Sequence, residues 1–203
     1  MFFGGDRGYI KDESIYLPVW ASTFVESNDV WKAGFMKFDL TDMITPIEIQ
    51  TFSDGKVNEC SIYFDFNGDV VVNCRCESAT KRVVKVFHKN EWLSYFADGM
   101  SAIKNTECYI QQKDNGRNLF RINCNPSSYN ESGNGPRTNI TIFGSTFYGK
   151  NYVPLIELTG NDEGGMPNMI IEDGIIYVCW ENGSTAIKTA KVNISKNEKI
   201  KII

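Results

Sequence analysis

The sequence repeats one hairpin pattern: an alternating strand, a turn rich in glycine or acidic residues, and an apolar strand. Four stretches follow it, namely GYIKDESIYLPVW (8–20), ECSIYFDFNGDVVVNCR (59–75), ECYIQQKDNGRNLFRINCN (107–125) and PNMIIEDGIIYVCWE (167–181). The second and third are close copies, because both begin Glu-Cys-x-Ile and both contain Asn-Cys near their end. The turns recur at intervals of roughly 50 residues, which is the period of an internal structural repeat.

A period near 50 with one hairpin in each repeat predicts an all-β fold, a β-propeller of about four blades of about 50 residues. The segments 83–95 and 138–158 are rich in β-branched and aromatic residues and supply further strands. In residues 31–44, Gly34 and the alternation that follows it favour a strand and a turn over a helix. We expect residues 1–203 to form a single small or partial propeller. A β-sandwich with accidental hairpin similarity is the alternative.

Composition excludes several function classes. The net charge is −4, the pI is about 5.1 and there is no basic stripe, so neither nucleic acid nor an anionic membrane surface is expected as a partner. No apolar run reaches the roughly 18 residues of a membrane span. The opening MFFGGDRGYI lacks the apolar centre of a signal peptide, so secretion is not expected.

The cysteines and the single histidine predict neither a metal site nor a cofactor. The six cysteines include one close pair, Cys74-Arg75-Cys76, and that spacing is not typical of zinc sites. Several cysteines fall in apolar strand patterns, which favours small buried hydrophobes and folding in a reducing cytosol. Strained cross-strand disulfides, Cys60 to Cys74 or Cys108 to Cys124, are the alternative.

The second hairpin carries a carboxylate and a guanidinium at matching ends. Asn67-Gly68 predicts a two-residue turn, so Glu59 and Arg75 are expected to meet at the open end. In a propeller the innermost strands line the central channel, and the rim residues face the ligand side. The pair is therefore either part of a site or a surface ion pair.

The residues Val57-Asn58-Glu59-Cys60-Ser61, followed by Gly68-Asp69 and the strand ending at Arg75, resemble the sialidase (exo-neuraminidase) superfamily. Further resemblances follow in that family's order: Gly8-Tyr9-Ile10 through Tyr16-Leu17-Pro18, Asn125-Pro126 with Arg137-Thr138-Asn139, and Gly165-Met166-Pro167 with Asp173-Gly174 and Trp180-Glu181. The similarity covers nearly the whole chain but only the last four blades of a six-bladed ring.

The resemblance implies roles for individual residues. Arg75 and Arg137 correspond to two of the three arginines that bind a substrate carboxylate, and Glu59 corresponds to the glutamate that activates a tyrosine nucleophile. The tyrosine position falls on Met166, whose thioether cannot attack. The first arginine and the catalytic aspartate belong to blades that would precede residue 1. Residues 88–92 hold only a trace of the family's Asp-box.

These observations predict a catalytically incomplete sialidase-like propeller that binds carbohydrate or recognises a host, for example as a phage tail or baseplate component. The expected ligand is a glycan or an acidic sugar, with Trp180 and Glu181 on the pocket rim and a partner chain covering open sheet edges. One alternative is a sialidase-type hydrolase completed by a partner chain or a longer parent protein. The other is a structural interaction platform with no small-molecule site.

Overall fold

The computed structural model describes residues 3–4, 7–25, 28–77, 82–95, 109–113, 118–124, 138–145, 148–149, 152–160, 164–183, 185–193 and 201–202. Across these ranges the regular secondary structure is β-strand, with no α-helix. The chain divides into two compact units, Met1–Asn105 and Thr106–Ile203. The all-β prediction is confirmed.

The first unit contains two antiparallel sheets. The first sheet has the strands β1 (Phe3–Gly4), β2 (Tyr9–Lys11), β3 (Ser14–Val25), β4 (Asn28–Asp39) and β5 (Glu48–Phe52). Its order is β1-β3-β4-β5, and β2 also pairs with β3. The second sheet runs in chain order through β6 (Val57–Phe64), β7 (Val70–Cys76), β8 (Val83–His88) and β9 (Glu91–Ser94).

The second unit also contains two sheets, and in both the strands follow chain order. One consists of β10 (Tyr109–Lys113), β11 (Asn118–Cys124), β12 (Ile140–Ser145) and β13 (Val153–Glu157). The other consists of β14 (Gly165–Glu172), β15 (Ile175–Asn182), β16 (Ala186–Asn193) and β17 (Lys201–Ile202). The four predicted hairpins correspond to β2-β3, β6-β7, β10-β11 and β14-β15, so each sheet contains one repeat.

Among the connections that the structure describes in full, three are two-residue turns in which both residues have positive φ: Asp12-Glu13, Lys89-Asn90 and Asp173-Gly174. This backbone conformation matches the right-handed twist of the strands it joins. The same turn predicted at Asn67-Gly68 is wrong, because the backbone N–H of Asp65 donates to the carbonyl of Asp69 and leaves a loop of three residues, 66–68.

The carboxylate of Asp65 explains that longer loop. It accepts hydrogen bonds from the backbone N–H of Asn67 (2.8 Å) and of Asp69 (3.0 Å). Gly68 takes a φ of 84°, and Lys11 from the neighbouring sheet donates to its carbonyl at 2.7 Å. The conformation of this loop is therefore determined by the Asp65 side chain and not by the Asn-Gly pair.

Aromatic and aliphatic side chains fill the space between the two sheets of the first unit. Phe35 is 1% exposed, and its ring lies 5.9 Å from that of Tyr16, 5.6 Å from that of Phe87 and 6.1 Å from that of Trp92. The cluster around it also includes Ala33, Phe52, Val57, Ile62, Val70 and Val72. In the second unit the core is built mainly from Ile122, Ile140, Ile142, Met169, Ile171, Ile176, Val178, Trp180 and Val192.

Cysteines contribute to the first core as reduced thiols. Cys60, Cys74 and Cys76 are buried and free, whereas Cys179 is free and exposed. Cys60 lies opposite Cys74 in the β6-β7 register, and its thiol donates to the carbonyl of Val19 at 3.4 Å. The disulfide predicted as an alternative between Cys60 and Cys74 is therefore not formed. The alternative pair involves Cys108, which lies outside the described residues.

Alkylation should distinguish the buried thiols from the exposed one. Burial and a hydrogen bond with Cys60 raise the pKa of the Cys74 thiol well above its ordinary value. Because the thiolate is the reactive form, iodoacetamide should modify Cys179 in the native protein and leave Cys74 unmodified, including at alkaline pH. Peptide mass spectrometry measures this, with urea-unfolded protein as the control. Equal labelling rates for the two residues would contradict the buried position of Cys74.

Candidate functional site

A β-bulge places Glu59 at the end of the second hairpin. The β6-β7 pairing joins Cys60 to Cys74 and Asn58 to Arg75, so Glu59 is the extra residue between two paired positions. A bulge turns a side chain out of the regular alternation and is frequent next to functional sites. The carboxylate of Glu59 contacts Arg75, which is paired with the preceding residue, Asn58.

Arg75 binds two carboxylates at once. Its Nη1 atom lies 2.8 Å from Oε2 of Glu59, and its Nη2 atom lies 2.6 Å from Oε1 of Glu77. The three side chains are 17% (Arg75), 34% (Glu59) and 30% (Glu77) exposed, so the cluster is partly accessible to solvent. The expected contact between Glu59 and Arg75 is present. Their role in binding or catalysis stays a prediction.

Glu77 was not predicted as a site residue, although the sequence held a signal for it. It follows Arg75 by two positions, and side chains two residues apart lie on the same face of a strand. Its backbone N–H donates to the carbonyl of Lys56, which continues the β6-β7 pairing by one step beyond the last strand residue. We name Glu59, Arg75 and Glu77 together the carboxylate–arginine cluster.

Asn58 holds Glu77 from the buried side of the cluster. Its Nδ2 atom donates to Oε1 of Glu77 at 3.2 Å, and the residue is only 5% exposed. Its Oδ1 atom is buried and has no hydrogen-bond partner within the described part of the chain. The Glu77 carboxylate is therefore positioned by two donors, Arg75 and Asn58.

The cluster carries one positive and two negative charges, a balance of −1. At an effective dielectric constant near 20, two unit charges 4 Å apart interact by about 4 kcal/mol. A further anion near Arg75 would be attracted by one charge and repelled by two at similar distances. The free oxygen lone pairs of the carboxylates instead suit donors such as hydroxyl groups.

Aromatic side chains lie in the same unit. The rings of Trp20 and Trp31 are stacked, with centroids 5.8 Å apart and planes 5° from parallel. Trp20 packs against the core cluster that contains Val57 and Cys60, the residues on either side of Asn58-Glu59. This contact gives Trp20 a packing role.

The predicted site residues of the second unit have different environments. Trp180 is 6% exposed and belongs to the hydrophobic core, so its indole is used in packing. Glu181 is exposed and pairs with Gly165 across β14-β15, close to the pairing expected from the Asp173-Gly174 turn. Met166 lies in β14 at a register shift between Gly165 and Asn168. Arg137 falls outside the described residues.

The described residues contain no group of three or more side chains suited to holding a metal ion. They also contain no helix that is long and apolar enough to cross a bilayer.

Comparison with known proteins supports the fold through solved structures. No protein-family model matches the chain, and no curated protein sequence matches it. Similar solved structures include a Hadza microbial sialidase, Hz136, at a TM-score of 0.68 and 14% identity. The chain has a β-propeller fold. The match to Hz136 covers 95% of this chain and 38% of the sialidase.

Two further propeller structures extend the comparison. A Trypanosoma rangeli sialidase in complex with sialic acid matches at a TM-score of 0.62 and 11% identity, covering 90% of this chain and 30% of the sialidase. An exo-β-1,3-galactanase from Clostridium thermocellum matches at 0.59 and 10% identity, covering 98% of this chain and 47% of the galactanase. The chain thus spans less than half the length of these three glycoside hydrolases.

Proposed function

We propose that residues 1–203 form a catalytically incomplete, sialidase-like propeller segment that binds carbohydrate, and that the carboxylate–arginine cluster is its sugar-binding site. The observation that carries this proposal is the two-carboxylate binding of Arg75 at a bulged hairpin end. Planar carboxylate and guanidinium groups form paired hydrogen bonds with fixed geometry, which suits the recognition of adjacent sugar hydroxyls. The fold supports the proposal because solved propellers similar to it include glycoside hydrolases.

The absence of catalysis is proposed from the sequence. Where the resemblance to sialidases places a tyrosine nucleophile, this chain has Met166. A thioether carries no proton that a glutamate base could remove, so it cannot become an oxygen nucleophile. A host-recognition role, for example in a phage tail, follows from glycan binding together with the expected folding in a reducing cytosol.

A working hydrolase is the second candidate, because the matched structures are glycoside hydrolases that are longer than this chain. The chain covers 38% and 30% of the two sialidases, so a partner chain or a longer parent protein would have to supply the remaining catalytic groups. In that assembly Glu59 would act as the base.

Glycan binding and turnover, measured together, test both candidates. We expect saturable binding to members of a glycan panel, at least tenfold weaker in Arg75→Ala and unchanged in Glu91→Gln, because Glu91 is an exposed residue on β9. We expect no hydrolysis of a fluorogenic sialoside. Thermal unfolding of each variant confirms that it is folded.

Each candidate has a result that contradicts it. Turnover that disappears in Glu59→Gln would overturn the incomplete-enzyme proposal and support the hydrolase. If no member of the panel binds and no sialoside is cleaved, the carbohydrate-binding proposal itself is wrong.

A further inference from the structure

The positive charge of Arg75 is already balanced inside the cluster. Glu77 approaches Nη2 of Arg75 at 2.6 Å, and the same carboxylate oxygen also accepts the bond from Asn58. Asn58 is 95% buried and reaches Glu77 from the protein side. Because two donors fix Glu77, its carboxylate is a built-in counter-ion for Arg75.

Glu59 is the second acid of the cluster. It lies at the bulge with its side chain 34% exposed, and it contacts Nη1 of Arg75 at 2.8 Å. With Glu77 neutralising Arg75, the carboxylate of Glu59 gives these three side chains a net charge of −1.

We infer that Glu77 is a specificity-determining residue, which makes this site select neutral sugars over sugars that carry a carboxylate. The inference rests on the proposed function, since it names the ligand class of the same site. A neutral sugar donates its hydroxyl protons to the oxygens of Glu59 and Glu77 and accepts from Arg75.

A sugar that carries a carboxylate is instead repelled by the acids of this cluster. To bond Arg75 it must come within hydrogen-bond distance of a guanidinium that already has Glu59 and Glu77 at 2.8 Å and 2.6 Å. Two like charges then face the incoming anion, and like-charge contacts are a general means of rejecting a wrong ligand. Removing the charge of one glutamate would lower this repulsion.

Glu77→Gln removes that charge and keeps the shape. The glutamine side chain can still accept the bonds from Asn58 and Arg75, so the cluster keeps its geometry while its net charge changes from −1 to 0. The inference therefore predicts a change of preference in addition to any loss of affinity.

The experiment compares sugars that differ only in the carboxylate. The probes are the methyl glycosides of glucose, galactose and mannose with their uronic acid counterparts, together with lactose and 3′-sialyllactose. Binding constants are measured for the whole chain, for Glu77→Gln and for the control Glu91→Gln. We expect the wild-type protein to bind the neutral member of at least one pair about tenfold more tightly. Glu77→Gln should shift this ratio toward the acidic member by about tenfold, and Glu91→Gln should leave it unchanged.

The other outcomes separate the two proposals. Preferential wild-type binding of an acidic member overturns this inference and leaves carbohydrate binding intact. A neutral preference that Glu77→Gln does not shift, with the variant folded by thermal unfolding, also overturns it. If no probe in either set binds, the inference and the proposed sugar-binding site both fail.

Discussion

Replacing Gly34 by alanine should destabilise the first unit by about 4 kcal/mol or more, one of the largest effects expected of a single methyl group. Gly34 lies in β4 opposite Thr51 of β5. A Cβ atom built on it would lie 1.9 Å from the backbone oxygen of Gln50 and 2.8 Å from the Cα of Thr51. Because these neighbours are backbone atoms of a paired strand, the clash is relieved only if β4 and β5 separate.

Urea unfolding followed by tryptophan fluorescence measures this loss. Three of the four tryptophans, Trp20, Trp31 and Trp92, lie in the first unit, so the signal reports mainly on it. Gly55→Ala is the matched control. Gly55 is exposed and has a φ of 68°, so this change tests the cost of a side chain in the left-handed region, about 1–2 kcal/mol. If Gly34→Ala costs no more than Gly55→Ala, β4 and β5 are not packed as closely as described.

The sequence predicted the hairpins well because hydrophobic alternation directly encodes strands. Each of the four repeats forms a hairpin, and the Asp173-Gly174 turn fixed the β14-β15 register closely enough to place Glu181 near Met166. Two-residue turns with positive φ have a strong local signal, since few residues adopt that conformation. The same reasoning failed at Asn67-Gly68, because the Asp65 side chain competes locally for the turn N–H groups.

The site was harder to predict than the fold. Alternation gives no sign of an extra residue, so the bulge at Glu59 is invisible in the sequence. Glu77 and Trp180 could have been assigned from the sequence, because the two-residue period of a strand gives the face on which each side chain lies. Glu77 shares a face with Arg75, and Trp180 shares the face of buried Ile176 and Val178. The family resemblance placed Trp180 on the pocket rim, although its position in the strand alternation is that of a core residue.

The repeated Asn-Cys pair had no evident role in the sequence, and the structure supplies one for its first copy. Asn73 is 1% exposed and accepts two hydrogen bonds from Arg82, which is 5% exposed. Nε of Arg82 donates to Oδ1 of Asn73, and Nη2 donates to its backbone oxygen at 3.1 Å. Arg82 is the first described residue before β8, so this contact fixes the return of the chain into the sheet that carries the carboxylate–arginine cluster.

Asn73→Ala should therefore destabilise the first unit by about 3 kcal/mol, because a buried charged donor loses its side-chain acceptor. Arg82→Met should cost less than Asn73→Ala, since the charge that needs solvation leaves with the side chain and methionine fills much of the volume. In the double variant the losses should be smaller than the sum of the single changes, because the two residues act on one contact. Urea unfolding of the four proteins measures the cycle.

Additive losses in that cycle would contradict the coupling between Asn73 and Arg82. A larger loss for Arg82→Met than for Asn73→Ala would contradict the expected order, and it would mean that Arg82 contributes more through its remaining contacts than through this asparagine. Glycan binding by Asn73→Ala tests whether this contact also has a functional role. Asn73 is two residues before Arg75 in β7, so weakened binding in a folded variant would show that the buried contact also positions the cluster.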